Sequence, residues 1–416
     1  MKNKQIIALI VLFAICISGC SPVSISCPPA DDTTNTVIIT CPDLTAPDAG
    51  ASFADSFMKL TSSDGNRMVS PYSAKMCLAL LANGAKGDTK QQILDAIDIN
   101  DLEAYNAQVK ETLERYKSYA GILSLETANS LWVNKSMHDK DFLPEYSEKM
   151  QNFYSAEIRE VTIDNSIEEV NAWAKEKTKG KIDSIFTEDH RAFSLALANA
   201  VYFKAAWEIP FEKHLTKKGN FTNLDNSVSE IDFMNLTDRV GYYEADGIKA
   251  VSLEYGRSGE RDGKYYYLPD KNYSFSMYFM LSDGELDIEK FLNENAVFAT
   301  ENVNVSIPKF ELEYKVQMND ILVALGMVDA FDSRADLSGL TGASGLSVDD
   351  VLQKTYIKID EEGTEAAAVT AITLDECAYI FTEAPKEFIA DKPFYFAIRD
   401  NTSGELLFVG RYETAK

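Results

Sequence analysis

Three histidines, six cysteines and an abundance of carboxylates are the side chains here with most chemistry to offer, yet no spacing among them assembles a catalytic or metal-binding set. His138, His190 and His214 each lie beside a charged residue in polar sequence, which reads as three solvated imidazoles. The cysteines, at positions 16, 20, 27, 41, 77 and 377, contain no pair with metal-ligand spacing. No Gly-x-Ser-x-Gly, His-Glu-x-x-His or Gly-x-Gly-x-x-Gly occurs. Asn83-Gly-Ala-Lys-Gly-Asp-Thr-Lys has the glycines of a phosphate loop but lacks its Gly-Lys-Ser/Thr ending and follows a helix-like run, so Gly84 reads as a helix C-terminus. No metal or other cofactor is expected. Cys77, inside the apolar run Ala74-Lys-Met-Cys-Leu-Ala-Leu-Leu, is expected to be a small buried residue, whereas Cys377 follows an alanine-rich stretch and is expected to be accessible.

That alanine-rich stretch, Asp360–Leu374, carries the strongest pattern in the chain. At period two, one face is Thr364, Ala366, Ala368, Thr370, Ile372 and Leu374; the other is Glu365, Ala367, Val369, Ala371, Thr373 and Asp375. All charge falls on the second face. The first is small at its start and bulkier only toward Leu374, which suits a strand that slides between two others, although an alanine-rich loop or short helix has the same composition.

The elements that must position this segment are mixed. Helical patterns dominate from Phe53 to about Lys181; in Ile167-Glu-Glu-Val-Asn-Ala-Trp-Ala-Lys, for example, Ile167, Val170, Trp173 and Ala174 share a face. Strand-like runs follow at Leu195–Phe203, Tyr265–Leu268, Ser274–Leu281, Val303–Leu312, Tyr356–Ile359, Phe394–Ile398 and Leu406–Val409. With no repeat and no linker after Gly50, this order predicts one large α+β domain over residues 51–416. Of the 416 residues 45% are hydrophobic, ample for a core, and the net charge of −25 argues against nucleic acid and heparin. Lys175, Lys177, Lys179 and Lys181, interleaved with acids, read as a solvated face.

The N-terminus has Lys2 and Lys4, an apolar run from Ile6 to Ile17, and then Ser18-Gly19-Cys20. The run is short for a membrane span and has the layout of an export signal. Ile17-Ser-Gly-Cys20 resembles a bacterial lipobox, so residues 1–20 are expected to be a lipoprotein signal with Cys20 lipidated. Residues 21–50, rich in Ser, Thr, Pro and Asp, read as a flexible tether in which Cys27 and Cys41 could pair. The expected location is a bacterial membrane, on its periplasmic side or at the cell surface.

Several segments, in order, resemble the motifs of the serpin family. They are Asn66-Arg-Met-Val-Ser-Pro-Tyr-Ser73 with Leu80–Thr89, Asn171-Ala-Trp with Thr178–Ile182, and Leu197-Ala-Asn-Ala-Val-Tyr-Phe-Lys-Ala-Ala-Trp207. Val305-Ser-Ile-Pro-Lys-Phe310, Leu325-Gly-Met327, Phe331, Ala335-Asp-Leu-Ser-Gly339, Glu387–Phe394 and Leu407-Phe-Val-Gly410 follow. The resemblance implies a serpin fold, three β-sheets surrounded by helices with an exposed reactive-centre loop. It implies a protease inhibitor, not an enzyme, whose cleaved loop inserts into the main sheet and traps the target. It makes Glu361 to Gly363 the hinge, Thr364 the first inserted residue, and Ala366, Ala367 and Ala368 part of the small-residue stretch. Ser70, Ser73 and Asn199 fall on shutter positions and Trp207 on the breach. Gln353 stands where the family usually has histidine, and an amide can replace an imidazole as donor and acceptor. Counting from the hinge puts the scissile bond at Cys377-Ala378, whereas counting back from Pro393-Phe394 puts it near Thr382, with Tyr379 and Phe381 as further candidates. The partner implied is a serine protease, elastase-like or chymotrypsin-like, with reach to cysteine proteases, acted on by a monomer. A non-inhibitory carrier of the same fold and a ligand-binding surface lipoprotein are the alternatives.

Overall fold

Alanines and larger apolar side chains fill Leu195–Ala206, Leu-Ala-Leu-Ala-Asn-Ala-Val-Tyr-Phe-Lys-Ala-Ala, so this strand can be covered on both faces, and all but two of its residues are buried. A computed structural model describes residues 50–61, 65–256, 258–261, 264–267, 272–364 and 384–415, all within the compact unit Pro42–Lys416. Cys20, Cys27, Cys41 and the whole segment 365–383, with Ala366, Ala367, Ala368, Cys377, Ala378, Tyr379, Phe381 and Thr382, lie outside the described residues.

The central sheet has six strands: β1 (Leu123–Asn134), β2 (Glu157–Val161), β3 (Leu195–Ala206), β4 (Phe310–Gln317), β5 (Val348–Asp360) and β6 (Gly363–Thr364). Their order is β4-β5-β6-β3-β1-β2, and β5 also pairs directly with β3. That pairing is parallel and runs from Val348 opposite Leu195 to Tyr356 opposite Tyr202. One face is covered by helix α1 (Pro71–Gly84), with Pro71 at its first position and Ser70 capping the Ser73 amide at 3.3 Å. Helix α1 is apolar nearly all round and almost wholly buried. Cys77 lies inside it, 1% exposed, and burial pushes its thiol up to about 12. Gly84 is the last helical residue and has no room for a side chain: a Cβ would lie 2.1 Å from Leu340 Cδ2.

Helix α2 (Ser166–Lys177) and the chain after it cover the opposite face through Val170, Trp173, Ala174, Ile182, Ile185 and Phe186. The side chain of Asn171 pins this cover by accepting from the Ile185 and Phe186 amides, both at 2.8 Å. Trp173 meets Trp132 of β1 edge-on, centroids 6.0 Å apart.

The second sheet has nine strands, from Arg67–Val69 at one edge to Lys386–Ile389 at the other. Its two halves share the 18-residue strand Val228–Ala245, which pairs with Lys217–Thr222 at one end and Ile248–Glu254 at the other. Ser258–Arg261 and Lys264–Tyr267 form a separate hairpin, the third sheet among the described residues.

Three expectations are corrected. Strands β1 and β2 lie in the half expected to be helical, because cross-strand pairing on both sides of β1 outweighs local propensity. Val303–Leu312 is not one strand but breaks at Lys309, whose amide donates to the Asp232 carbonyl at 2.9 Å. His190 is buried, not solvated: its Nδ1 accepts from the Thr187 amide at 3.1 Å and its ring packs on Phe186. His138 is half-buried and His214 exposed. The four lysines are paired: Lys175 with Asp183, Lys177 with Glu157, Lys179 with Glu126, and Lys181 over the Tyr356 ring.

Trp173→Ala removes the largest anchor of this cover and is expected to cost about 3–5 kcal/mol, read as a shift of the denaturant midpoint.

Candidate functional site

Gly363 and Thr364 form two rungs between the central strands. Gly363 pairs with Asp360 of β5 and Ala206 of β3; Thr364 pairs with Ile359 and Ala205. Only glycine fits at 363, where φ is +149° and a Cβ would lie 2.2 Å from the Ala205 carbonyl oxygen. Thr364 is fully buried, its hydroxyl 2.6 Å from that of Tyr255. Burial drives the Tyr255 phenol well above its ordinary range, so the group stays a neutral hydroxyl. The resemblance makes Thr364 the first residue to enter the sheet; here it is already inside.

Trp207 braces this entry. Its ring stacks on Tyr255 at 4.9 Å, its Nε1 donates to the Asp360 carbonyl at 2.9 Å, and its amide donates to the Glu362 carbonyl at 3.0 Å. Two acids of the turn are then tied down. Glu361, 5% exposed, accepts from Lys309 Nζ at 3.0 Å and from the Thr216 hydroxyl at 2.8 Å. Glu362 pairs with Lys213 at 2.5 Å. Burial pushes the Glu361 carboxyl up, but the bonds from Lys309 and Thr216 outweigh it and hold the group below the usual glutamate range.

Further along the seam a chain of amides and hydroxyls joins β5, β3, β1 and the start of α1. Gln353 Oε1 accepts from the Ser70 amide at 2.8 Å, while its Nε2 donates to the Ser70 carbonyl at 3.0 Å and to Asn199 Oδ1 at 2.7 Å. Asn199 Nδ2 donates to Ser73 Oγ at 2.5 Å and to Asn129 Oδ1 at 2.7 Å. All five side chains are at least 98% buried. Gln353 thus does the work expected of a donor-acceptor ring, closing the seam at the register pair Gln353–Asn199. Parting the strands here breaks a buried hydrogen bond, which requires a replacement partner.

The site residues expected from sequence that the structure describes fall into two groups. Glu361, Gly363, Thr364 and Trp207 meet at the entry to the seam; Ser70, Ser73, Asn199 and Gln353 meet within it. Sequence reasoning missed Tyr255, Lys309, Lys213, Thr216 and Asn129. Asn129 sits on a strand and Tyr255 just past the end of one, with nothing local to mark either. Lys309 carried a signal, as the single break in a strand-like run.

The Glu361 latch has a definite pH dependence. Its folded-state pKa lies below the unfolded value, so its contribution is present in full above about pH 4.3 and is lost as pH falls through the folded value. Between pH 6 and pH 3 the thermal midpoint of Glu361→Gln is expected to fall less than that of the parent. Equal falls would show that the latch contributes nothing.

A family model described as Serpin (serine protease inhibitor) matches residues 49–414. An uncharacterised serpin-like protein of Thermococcus kodakarensis is 32% identical over 369 residues, 87% of this chain and 84% of that protein. The leukocyte elastase inhibitor of Homo sapiens is 31% identical over 374 residues, 86% of this chain and 96% of that one. Among solved structures, a highly specific serpin of the insect Tenebrio molitor is 30% identical with a TM-score of 0.73, covering 88% of this chain and 96% of its own. Motifs, sheet topology and these likenesses coincide along the same residues, and the chain belongs to the serpin family of protease inhibitors.

Proposed function

We propose that this protein is a single-use inhibitor of elastase-like or chymotrypsin-like serine proteases that works by loop cleavage, insertion between β3 and β5, and covalent trapping of the protease. The observation that carries the reading is the pair of rungs at Gly363 and Thr364, antiparallel to both neighbours. Continuing that register brings Ala366 opposite Ile357 and Phe203, Ala368 opposite Thr355 and Val201, and Thr370 opposite Gln353 and Asn199. The uncharged face of the segment then turns toward α1, where Phe203, Val201 and Ile357 belong to the core. Thr370 brings a hydroxyl to the point where the Gln353–Asn199 bond must open, and so supplies a replacement partner.

Specificity follows from the bait. No lysine or arginine occurs from Thr364 to Pro385, so a pocket built for a basic side chain has nothing to hold. Cys377-Ala378 is the proposed scissile bond, because the next inward position after Leu374 is Glu376, whose charge resists entry. The likeness to an elastase inhibitor supports a small apolar residue at the bond. Cysteine proteases form acyl-enzymes by the same route and fall within reach. Residues 1–20 serve as an export signal and 21–50 as a tether, with Cys20 lipidated and the monomeric inhibitor held on a bacterial membrane, periplasmic or at the surface.

The test is incubation of the full-length protein with a panel of pancreatic-type proteases, followed by denaturing electrophoresis. A denaturant-stable complex is expected, with a released fragment beginning at Ala378 by mass spectrometry. Thr364→Arg places an unpaired guanidinium against the core and is expected to yield a cleaved substrate and no complex. Cleavage of the parent without a complex would leave the carrier reading standing, and a cut after Lys386 would overturn the bond assignment.

A second test addresses the anchor. Cys20→Ala is expected to shift the protein from the membrane to the soluble fraction of expressing bacteria. Retention in the membrane fraction would favour an uncleaved signal anchor.

A further inference from the structure

A cleft of about 430 Å³ opens where parts of the nine-stranded sheet meet: the hairpin joining Val228–Ala245 to Ile248–Glu254, the end of Phe275–Ser282, and the edge strand Lys386–Ile389. Its apolar lining is Ile248, Leu281 and Ile389, the last 44% exposed. The exposed carboxylates of Asp246, Asp283 and Glu387 also line it, and none has an ion pair or hydrogen bond among the described residues. Glu244 is matched by Lys249 at 3.2 Å, and Lys392 completes the charged lining. Four acids against two lysines leave the cleft with a net charge of −2.

The cleft is built before any partner arrives. Ala245 pairs with Ile248, which leaves Asp246 and Gly247 as a two-residue loop with φ of +54° and +76°, as in a type I′ hairpin turn. The Asp283 amide donates to the Gly247 carbonyl at 3.4 Å and ties the tip of the hairpin to the end of Phe275–Ser282. Lys249 Nζ donates to the Glu387 carbonyl at 3.3 Å and ties the hairpin to the edge strand.

We propose that this cleft is a secondary docking site for a lysine or arginine side chain on the surface of the target protease. The lining selects such a side chain: its aliphatic stem lies on Ile248, Leu281 and Ile389 while its charged head reaches the carboxylates. A metal ion is a poorer fit, because no three acidic, imidazole or thiol groups converge to hold one among the described residues. The position selects the partner. Glu387 and Ile389 belong to the first described strand after the bait segment, so a protease held on that segment is tethered to the wall of the cleft. Exposed ion pairs are individually weak, and a shallow acidic cleft gains occupancy from a partner already held nearby at high effective concentration. The net charge of the whole chain, −25, draws in the same class of partner, a protease with a positive surface. The contact speeds the encounter and takes no part in cleavage or insertion.

This inference rests on the inhibitor reading, and the experiment separates the two. The full-length parent is compared at low salt with Asp246→Asn/Asp283→Asn/Glu387→Gln. A control, Glu111→Gln/Glu145→Gln/Glu148→Gln, makes the same change of charge on the helices Leu102–Ser118 and Pro144–Tyr154. Asparagine tolerates the left-handed backbone at 246, so the cleft variant keeps its turn. The rate constant of inactivation is measured with one elastase-like or chymotrypsin-like protease of net positive charge and one of net negative charge. With the cationic protease the cleft variant is expected to be slower by about three- to tenfold, a deficit that fades near about 0.5 M salt. Inhibitor consumed per protease inactivated is expected to stay unchanged, and the anionic protease to show no deficit. An unchanged rate in the cleft variant, or equal slowing in the control, would overturn the docking proposal. N-butylguanidinium is titrated separately against the methyl resonances of Ile248, Leu281 and Ile389. Shifts are expected in the parent and not in the cleft variant, and their absence from the parent overturns the cation-binding cleft. A parent that inactivates no protease sinks the inhibitor reading, and the cleft is then judged on those shifts alone.

Discussion

Two parallel central strands that touch along most of their length and are wedged apart at one end set the terms for this molecule. The contact between β3 and β5 is held by ladder bonds from Val348 to Tyr356 and by the Gln353–Asn199 amide pair beneath them. Parallel neighbours buried on both faces have no solvent to satisfy them if they separate, so the seam stays shut unless another strand supplies the missing partners. Gly363 and Thr364 supply the first of those partners. Around that wedge the other elements find their roles: α1 backs the seam, α2 and the chain after it cover it, and Trp207 and Tyr255 brace its entry.

The turn before the wedge shows how charge holds the entry in place. Three consecutive acids, Asp360, Glu361 and Glu362, would repel one another in an open loop. Here each is matched to a different partner: a backbone amide for Asp360, Lys309 and Thr216 for Glu361, Lys213 for Glu362. The exposed Lys213 pair is screened by water and salt, whereas the Glu361 contacts are largely shielded, so the latter set the geometry of the turn.

Legibility in the sequence followed how local each signal was. The alternation around Thr364 and the cap at Ser70-Pro71 depend on neighbours a few residues away and were readable. The helix end at Gly84 was readable from the glycine and the polar residues that follow it, although the side chain that crowds this glycine, Leu340, lies far along the chain. The two-layer cover was half-readable, because Val170, Trp173 and Ala174 mark a buried face but not what buries them. Strands β1 and β2 escaped, since a strand's identity rests on partners far along the chain: Asn129 meets Asn199, and Glu157 meets Ser130. His190 misled for the opposite reason. Its charged sequence neighbours point to solvent while its own ring turns inward onto Phe186. The family resemblance named Thr364, but the resting position of Thr364 inside the sheet depends on a tyrosine more than a hundred residues away.

Under the proposed trapping mechanism, the seated wedge also changes the race that a single-use inhibitor must win. An acylated protease frees itself by hydrolysis in its own time, so the outcome depends on how soon zippering begins after the loop is cut. A detached loop would first have to search for the mouth of the seam and freeze its leading residues there. Ordering two residues costs about 2–4 kcal/mol of backbone freedom, and each 1.4 kcal/mol in a barrier is about tenfold in rate. With Gly363 and Thr364 fixed before the encounter, an inhibitor working by the proposed mechanism would have that search behind it before the clock starts. What would remain is propagation, one rung after another, down a ladder whose first steps are already in place.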